Sequence, residues 1–422
     1  MGEQGSIAVI GAGIIGTAVA YALAREGRRV VLIDRAEPGV AGASYGNAGH
    51  IATEVVEPLP SPALLFGFWR QLFVFGGPLD IPLHHLPAFL PWAARFAAAA
   101  FQRRTNTARL APLVKSAATT LEYWLREMRC TQLMHRNGHY EIWLNGPAQK
   151  HADAHALEME RLEVRTAAAP KHLLHAVQVA AGAKTSGGLW FPDSAYVIDP
   201  LQVVRACAAA AAERGAQIRR ADVSALRPCA SGIEVIADAQ SSIVDTAVVC
   251  GGAWSIPLLA PLGLRVPLES VRGYHIEIPQ RAPLVDAPLV YSNEHVIVTP
   301  MAGRLRASSY MEFLAPGAPA DERKPTRLRK KLRALGYACE LEGQSWVGAR
   351  SVLPDYLPGI GRVPGMNILY AIGHQHIGLT MAAVTGELIA DLIAHRQPRH
   401  PIAAFDLVRF GRIRAGEAYL GA

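Results

Sequence analysis

The residues SIAVIGAGIIG, positions 6–16, decide the fold class of this 422-residue chain. A run of apolar, β-favouring residues leads into a GxGxxG turn, after which residues 17–26 form a predicted helix and residues 29–33 a second predicted strand. In such a β-α-β unit the glycines let a pyrophosphate approach the helix N-terminus, and an acid after the second strand can bind ribose hydroxyls. The sequence therefore predicts a dinucleotide site made by Gly11, Gly13, Ile14, Ile15, Gly16, Asp34 and Arg35.

Three further glycine-containing segments indicate that the dinucleotide is FAD rather than NAD. The loop GASYGNAGH (42–50) is small and polar enough to wrap the ribityl and diphosphate part of a long cofactor. The segment GHQHIGLT (373–380) joins a strand to a helix, and its N–H groups would stabilise the negative charge of a reduced flavin. The loop, together with VVCGGAWS (248–255), offers these candidate contacts: Ser44, Asn47, Ala48, Gly49, Gly251, Ala253 and Trp254.

The ordered motifs together resemble one protein family. GAGIIG (11–16), GASYGNAG (42–49), CGGAWS (250–255), GARSVLPDYLPGIG (348–361) and GHQHIGLT are similar to the D-amino-acid oxidase/dehydrogenase (DAO) flavoproteins, over about residues 7–393. The resemblance implies a mixed α/β fold, with a discontinuous Rossmann-like FAD-binding domain of the glutathione-reductase type at 1–57, 195–262 and 345–395. It further implies a substrate-binding domain with a mostly antiparallel sheet at 58–194 and 263–344, and a C-terminal tail at 396–422.

The resemblance also implies roles for single residues. In the family a GxR segment supplies an arginine that pairs with the substrate carboxylate, and Gly348 and Arg350 match it; the alternative is an arginine in an ordinary salt bridge. Flavin-contacting positions match at His376, Ile377, Gly378, Leu379 and Thr380, and an adenine-side position matches at Val223. Candidates for the substrate pocket are His50, Tyr274, His275, Tyr310, His374 and His376, although a single histidine or tyrosine is more often structural. Since no cysteine follows the Arg350 segment or lies in GHQHIG, we expect noncovalent FAD.

The activity implied by the resemblance is the oxidation of a small amino acid, with hydride transfer from Cα to flavin N5 and formation of an imino acid. Within the family the chain most resembles the D-amino-acid dehydrogenases of the small-subunit type, and SYGNAGHIATE and GHQHIGLT are similar to dehydrogenases of cis-4-hydroxy-D-proline. We expect electrons to pass to a quinone, another non-oxygen acceptor or a partner subunit. The alternatives are a glycine- or sarcosine-type oxidase that uses O2, and an electron-relay subunit of a hetero-oligomeric dehydrogenase. An NAD-dependent dehydrogenase would leave the GARSVLP and GHQHIGLT segments without a role.

Composition and charge narrow the remaining possibilities. The net charge is +7, and the densest basic cluster, residues 323–333, has a spacing typical of the solvated face of a helix. No aromatic residues interleave with this cluster, which argues against a nucleic-acid partner. The five cysteines include no C-x-x-C pair, so we predict small buried thiols in a reducing compartment such as the cytoplasm, and no metal site.

Residues 58–101 differ in character from the rest of the chain, because they combine seven prolines with many aromatic residues. The prolines and Asp80 exclude one spanning helix, whereas short amphipathic helices fit the pattern. Two interpretations stay open. The segment is either an apolar face packed on the chain's own core or on another subunit, or a patch that contacts the inner face of the membrane.

The pattern of apolar, capping and turn residues also predicts helices and strands in the rest of the chain. Helices are predicted at 110–128, at 201–214 with Asp199 as the cap, and at 381–395. Strands are predicted at 138–144, 217–219, 233–237 and 246–250, and residues 266–312 show a strand-rich pattern typical of an antiparallel sheet.

Overall fold

The predicted β-α-β unit lies at the centre of a six-stranded sheet in the computed structural model, which describes residues 5–279, 284–340 and 344–411. Parallel pairing aligns Ile10 with Ile33 on one side and with Val249 on the other. The central strands are apolar because both faces of the sheet are covered. From edge to edge the order is Gln217–Arg220, Arg29–Asp34, Ser6–Ile10, Thr246–Val249, Ile368–Ile372 and Gly359–Arg362, the last of which runs antiparallel to its neighbour.

Helices cover one face of this parallel sheet. They are Ile14–Arg25, Arg103–Glu127, Pro200–Glu213 and Gly378–Ile393. The first helix is buried from Ile14 to Ala24, and it packs so closely on the last that a Cβ on Gly386 would lie 2.8 Å from the carbonyl oxygen of Ala18. Asp199 caps Pro200–Glu213 as predicted, since its Oδ1 accepts a hydrogen bond from the Leu201 N–H at 3.0 Å.

A small antiparallel sheet covers the opposite face. Its strands are Val223–Cys229, Gly232–Ala237 and Gln240–Val244, and the short helix Ile256–Leu259 lies beside it. Leu226 and Val235 from this sheet share an apolar core with Val249 of the parallel sheet.

A larger mixed sheet forms the second part of the molecule. Its order is Ser345–Val352, Glu269–Ile278, Arg304–Phe313, Val296–Met301, Leu289–Tyr291, His139–Leu144, Ser186–Phe191 and Ala167–Ala168, with Leu79–Asp80 paired to Arg304–Phe313. Neighbouring strands are antiparallel except where Leu289–Tyr291 meets His139–Leu144 and where Leu79–Asp80 joins. The antiparallel pattern predicted for residues 266–312 is therefore confirmed.

Helices and one more small sheet surround the mixed sheet. The helices are Pro62–Gly67, Leu86–Ala100, Ala148–Arg161, Lys171–Ala180 and Arg323–Ala334. The small sheet has the order His50–Ile51, Ala195–Val197 and Met134–His135. It places His50 beside the strand His139–Leu144, because the rings of His50 and His139 lie 4.4 Å apart.

Several predicted elements are confirmed with shifted bounds. The helix predicted at 17–26 begins at Ile14, and the helix predicted at 110–128 begins at Arg103 and includes Pro112. The strands Ser186–Phe191 and Ser345–Val352 were not predicted, since their glycines weaken the alternating pattern. The predicted domain boundaries stay predictions, and residues 412–422 of the predicted tail lie outside the described residues.

Two expectations about polar side chains need correction. The basic helix Arg323–Ala334 is not simply solvated, because Lys324 and Arg329 are buried. Lys324 Nζ lies 2.6 Å from Asp80 and 2.7 Å from both Glu312 and Asp321, so distant acids draw it inward. The cysteines are free thiols, and Cys207, Cys250 and Cys339 are buried, but Cys130 is half-buried and Cys229 is exposed.

Residues 58–101 divide between core and surface. Phe89 and Trp92 are buried against Phe313, whereas Phe66 is 84% and Leu83 83% exposed. Among the described residues, no helix has the length and apolar character that crossing a membrane requires.

Candidate functional site

A cleft opens at the carboxyl ends of the strands Ser6–Ile10 and Thr246–Val249. Gly11 begins its floor with a φ of +102° and donates its N–H to the Ile33 carbonyl at 2.8 Å, which turns the chain sharply from strand into helix. A side chain on Gly16 would collide with the Gly11 carbonyl, so the third glycine of the motif permits close packing of strand and helix. The N-terminus of Ile14–Arg25 consequently points into the cleft.

Asp34 and Ser44 fix this turn from two sides. Asp34 Oδ2 accepts a hydrogen bond from the Ala12 N–H at 2.6 Å, and its Oδ1 accepts one from the Ala36 N–H at 3.0 Å. Ser44 Oγ accepts the Ile14 N–H at 2.9 Å, which joins the 42–50 loop to the beginning of the helix. Both side chains also line the cleft, so they can contact a ligand as well as hold the turn.

The wall beside Asp34 contains a cation–π pair. The Arg35 guanidinium carbon lies 4.3 Å from the centre of a Trp254 ring, within the range of a stabilising contact. The predicted contacts that line the cleft are Gly11, Gly13, Ile14, Ile15, Asp34, Arg35, Ser44, Val223, Gly251, Ala253, Trp254, Arg350, His374 and Gly378.

Arg350 lies at the other end of the cleft. It pairs in register with Val271 on the neighbouring strand and covers Gly273, where a Cβ would collide with the guanidinium. Burial lowers the pKa of Arg350, with the nearby Tyr356 acting in the opposite direction. In the described parts of the chain no carboxylate forms an ion pair with Arg350. A half-buried cation without an anionic partner favours binding of an anion.

The segment before the last helix forms the wall next to Arg350. Gln375 has a φ of +47°, and its N–H donates to the Ser351 carbonyl at 3.0 Å. The Gln375 Nε2 atom is buried without a hydrogen-bond partner among the described residues. Gly378 begins the helix Gly378–Ile393, so positive N–H groups face the cleft at this point. Gln375 and Ser351 were not predicted as contacts, although both lie inside quoted motifs.

These features agree with the comparison to known proteins. Residues 6–392 match the family described as "FAD dependent oxidoreductase", or DAO. The chain belongs to the DAO family. A DAO-family protein named D-amino-acid oxidase, from Bradyrhizobium diazoefficiens, is 31% identical over 97% of this chain and 100% of its own length. A D-amino acid dehydrogenase from Paramagnetospirillum magneticum is 29% identical over 96% of this chain and 98% of its own.

Solved structures of the same fold include other amine-oxidising flavoproteins. Glycine oxidase from Geobacillus kaustophilus superposes with a TM-score of 0.76 at 21% identity, over 96% of this DAO-family chain and 99% of its own. L-proline dehydrogenase from P. horikoshii gives a TM-score of 0.69 at 18% identity, over 98% and 100%. The predicted fold class, the FAD cofactor and the assignment to FAD-dependent amino-acid oxidases and dehydrogenases are therefore confirmed.

The cleft of the DAO-family chain fits FAD. It extends from Asp34 and Val223, past the glycine turn, to Arg350 and Gly378, which suits a long cofactor with a ring system at each end. A Cβ on Gly42 or Gly252 would meet nothing within 4 Å, so both backbones face open space. When bound, FAD would supply a hydride acceptor, and the pyrophosphate would lie at the N-terminus of Ile14–Arg25.

The predicted histidines near Arg350 have different surroundings. Burial, followed by the charge of Arg350, lowers the pKa of His376 to about 4. The His376 side chain is exposed and does not line the cleft. Burial and then His376 lower the pKa of His50 to about 3. His374 lines the cleft but is held by Thr385 Oγ1 at 3.1 Å from its Nε2, and burial lowers its pKa to about 3. The lowered pKa values favour the neutral form of all three rings.

Two tyrosines predicted for the substrate pocket lie elsewhere. Side chains alternate along Glu269–Ile278, so Tyr274 points away from the face that Gly273 presents to Arg350. The Tyr274 hydroxyl donates to Glu312 at 2.8 Å, and Tyr310 packs on Phe73 at 5.7 Å between ring centres. Both tyrosines belong to the core on the far side of the mixed sheet, which corrects their placement in the pocket.

The predicted loop residues Asn47, Ala48 and Gly49 lie behind the cleft. Arg306 Nη1 donates to the carbonyl oxygens of Tyr45 at 3.2 Å and Asn47 at 2.8 Å, and Asn47 Oδ1 accepts the Gly49 N–H at 2.8 Å. His275 Nδ1 lies 3.0 Å from the Gly46 carbonyl, and its ring stacks on Trp346. His275 therefore anchors the loop to the mixed sheet.

The other predicted contacts support the wall from behind. Ile377 and Leu379 are buried in the core, and Thr380 Oγ1 accepts the Ala52 N–H at 3.0 Å. At Gly348 a side chain would collide with the ring of Trp346.

Among the described residues, two groups of acidic and histidine side chains lie close enough together to be compared with metal sites, although the sequence predicts none. Asp80, Glu312 and Asp321 lie close together, but Lys324 occupies the space between them. The donor atoms of His50, Glu54 and His139 lie within 4.8 Å of one another. The absence of a metal stays a prediction.

Proposed function

We propose that this chain oxidises a small D-amino acid of the proline type, such as cis-4-hydroxy-D-proline, to an imino acid and passes the electrons to a quinone or another non-oxygen acceptor. The observation that carries the proposal is the position of Arg350, without an anionic partner among the described residues, at the end of an FAD-binding cleft.

Arg350 would bind the substrate carboxylate. A guanidinium makes two parallel charge-assisted hydrogen bonds to a carboxylate, which fixes both position and orientation. Partial burial strengthens this pairing, because the half-buried cation is partly removed from bulk water and gains a compensating charge when substrate enters. Held in this way, the substrate would direct its Cα–H toward the flavin ring, and orientation would supply much of the rate.

The rest of the pocket is suited to a neutral amine. The lowered pKa values of His50 and His376, caused by burial and by the neighbouring positive charges of His376 and Arg350, favour their neutral forms. They can accept hydrogen bonds without adding positive charge near Arg350. The N-terminus of Gly378–Ile393 favours negative charge at the cleft and would stabilise the anionic product state.

The choice of a D-amino acid rests on the relatives, which are named D-amino-acid oxidase and D-amino acid dehydrogenase. The narrower choice of a hydroxyproline rests on the strings SYGNAGHIATE and GHQHIGLT. The test is an anaerobic screen in which D- and L-amino acids are added to the purified holoprotein and the visible flavin band is followed. Bleaching by cis-4-hydroxy-D-proline and not by its L-epimer is expected, and absence of bleaching by any amino acid would overturn the proposal.

Noncovalent attachment of FAD is part of the proposal. Cys250 lines the cleft, but burial raises the pKa of its thiol, which keeps it protonated and unreactive. Acid precipitation should release all the flavin into the supernatant, whereas flavin retained by the precipitated protein would contradict noncovalent binding.

An O2-using oxidase is the second candidate, since one relative is named D-amino-acid oxidase and one solved structure of the same fold is a glycine oxidase. Stoichiometric hydrogen peroxide during turnover would favour it. Rapid turnover with a quinone analogue and little peroxide would favour the dehydrogenase.

The exposed apolar surface formed by residues 66, 69, 74, 75, 83, 90 and 101 supports a contact with the electron acceptor. Large exposed apolar surface often marks an interaction site. We assign it to the inner face of the membrane or to a partner subunit of an electron-transfer complex. Flotation with lipid vesicles supports the membrane, and co-purification of a subunit required for turnover supports the complex. If neither is observed, the assignment is wrong.

A further inference from the structure

His50, Glu54 and His139 form a largely buried group, and Glu54 and His139 have no role in the function described so far. His50 is the last residue of the 42–50 loop, Glu54 lies four residues later, and His139 comes from the mixed sheet. His50 Nε2 lies 3.6 Å from Glu54 Oε1, and His139 Nδ1 lies 3.9 Å from Glu54 Oε2. We propose that Glu54 and His50 act as a pair that receives the proton lost by the substrate amine, an inference that rests on the proposed amino-acid oxidation.

The hydrogen-bond pattern leaves this pair unsatisfied. Within the described residues, His50 Nε2 and Glu54 Oε2 are buried and have no hydrogen-bond partner. Buried polar atoms are nearly always paired, so an unpaired set beside a binding cleft indicates a part in ligand chemistry. His50 Nδ1 makes no hydrogen bond to the described residues and is not among the buried unpaired atoms. The ring therefore presents one nitrogen to Glu54 and keeps the other accessible.

His50 also connects Glu54 to the substrate end. A proton on His376 lowers the pKa of His50, and the charge of Arg350 lowers the pKa of His376, so the three groups lie within electrostatic range of one another. The Ala52 N–H donates to Thr380 Oγ1 at 3.0 Å and holds the 50–54 segment against the beginning of Gly378–Ile393. The hydrogen bond thus fixes His50 and Glu54 close to the segment that leads into the last helix.

His139 gives the pair a fixed, uncharged neighbour. Ser194 Oγ donates to the Phe191 carbonyl at 3.0 Å, so it must accept from His139 Nδ1–H, which lies 2.7 Å away. The His139 ring also stacks on Phe191, with ring centres 4.4 Å apart. Burial, then His50 and then His155 hold the pKa of His139 well below its usual range. His139 therefore contributes shape and hydrogen bonding rather than charge.

The surroundings make Glu54 a stronger base than an ordinary carboxylate. No lysine or arginine of the described residues forms an ion pair with it, and burial raises its pKa to about 8, with Glu141 acting in the same direction. The titratable groups that face the pair are His139 and Glu141 from one strand, His155 from the helix Ala148–Arg161, and His376 before the last helix. A base with a pKa near 8 matches the task of holding an ammonium proton near neutral pH.

The pair moves one proton from the substrate to Glu54. The substrate ammonium gives one proton to His50 Nδ1, and His50 Nε2–H gives its proton to the Glu54 carboxylate, which leaves a neutral imidazole and a carboxylic acid. The substrate is then a neutral amine, whose nitrogen lone pair is free to form the C=N bond of the product, and FAD, when bound, would accept the Cα hydride.

The test compares Glu54→Gln with the wild-type holoenzyme. For the wild type, kcat/KM for anaerobic flavin reduction should rise with pH through about 8 and fall where the substrate ammonium deprotonates. In Glu54→Gln the rise of kcat/KM through about pH 8 should disappear, and kcat/KM at pH 7 should drop at least about tenfold. The rate of flavin reduction should then increase only as the substrate amine itself loses its proton. Glu54→Asp should restore part of the rise in kcat/KM with pH. Glu57→Gln, on the same segment but paired with Arg103, is the matched control and should keep the wild-type profile.

A second readout does not depend on turnover. Infrared difference spectra of the holoenzyme should show a carboxylic-acid carbonyl band that titrates near pH 8 and is absent in Glu54→Gln. A wild-type pH profile in Glu54→Gln, or loss of the profile after a chelator removes a bound ion, would overturn the inference. If no amino acid reduces the flavin of the wild-type protein, the proposed function is wrong instead. The failure of this inference and the failure of the proposed function can therefore be distinguished.

Discussion

Arg350 lies directly over Gly273 on the adjacent strand, and the guanidinium occupies the space that any side chain at position 273 would need. The missing Cβ lets the long arginine side chain cross the sheet surface toward the cleft. Gly273 is therefore a positioning residue for the proposed carboxylate contact, although it has no functional group of its own.

Replacing this glycine should disturb substrate binding selectively. In Gly273→Ala the new methyl group displaces the guanidinium, so we expect KM for the amino acid to rise at least about tenfold, the equivalent of about 1.4 kcal/mol, with flavin content unchanged. Steady-state kinetics and the flavin absorbance of the purified variant measure both quantities. Gly317→Ala, where a Cβ meets nothing within 4 Å, is the control. Equal KM values in all three proteins would show that Arg350 does not depend on this space.

FAD retention should depend on the first glycine of the turn. Gly11 has a φ of +102°, and a Cβ there would press on the Cys250 carbonyl, so Gly11→Ala should shift the turn and abolish most FAD binding. The ratio of flavin absorbance to protein absorbance checks this loss. Gly67→Ala, at an open position outside the cleft, should retain full flavin. Stoichiometric FAD in Gly11→Ala would contradict the role given to the turn.

The fold around that turn could be predicted because its signals are local. Strand, GxGxxG and helix follow one another within residues 6–25, and their pairing needs no information from elsewhere in the chain. The placement of Tyr274 and Tyr310 could not be predicted in the same way. Whether a strand residue faces the cleft or the core depends on which neighbours the strand pairs with, and a shift by one position exchanges the faces.

The sequence also did not show which charged residues are buried. Lys324 looks solvated in a basic run, yet its partners Asp80 and Glu312 come from distant segments that the fold brings to it. The surroundings of Glu54 could not be predicted for the same reason. Its neighbours His50 and His139 lie 89 positions apart in the sequence, and the packing of two sheets brings them together.

Removing Lys324 should destabilise the protein without altering substrate preference. The variant Lys324→Ala leaves buried Glu312 with less compensating charge, so we expect the free energy of unfolding to fall by about 3–5 kcal/mol. Urea titration followed by circular dichroism measures the change. Lys330→Ala, an exposed site on the same helix, should stay within about 0.5 kcal/mol of wild type. An unchanged midpoint for Lys324→Ala would mean that the buried cluster contributes no net stability.

The loss of folding stability at acidic pH should depend in part on His374. Its pKa is lowered to about 3 in the folded protein, so the unfolded chain binds one more proton in the window from about 6.5 down to about 3. Stability from this group is fully present above pH 6.5 and is lost at up to about 1.4 kcal/mol per pH unit as the pH falls. His374→Asn should therefore show a shallower decline of urea midpoint between about pH 6.5 and about pH 5. Exposed His84→Asn serves as control, and parallel declines in all three proteins would count against this assignment.

The central claim is that Arg350 holds the carboxylate of an amino acid beside FAD. The most direct measurement is anaerobic flavin reduction of wild type and Arg350→Ala by D-proline and by pyrrolidine, the same ring amine without a carboxylate. We predict that Arg350→Ala lowers kcat/KM for D-proline at least about 30-fold, the equivalent of about 2 kcal/mol, and leaves the slow reaction with pyrrolidine unchanged. Equal kcat/KM for D-proline in the two proteins, or equal losses with both amines, would contradict the claim.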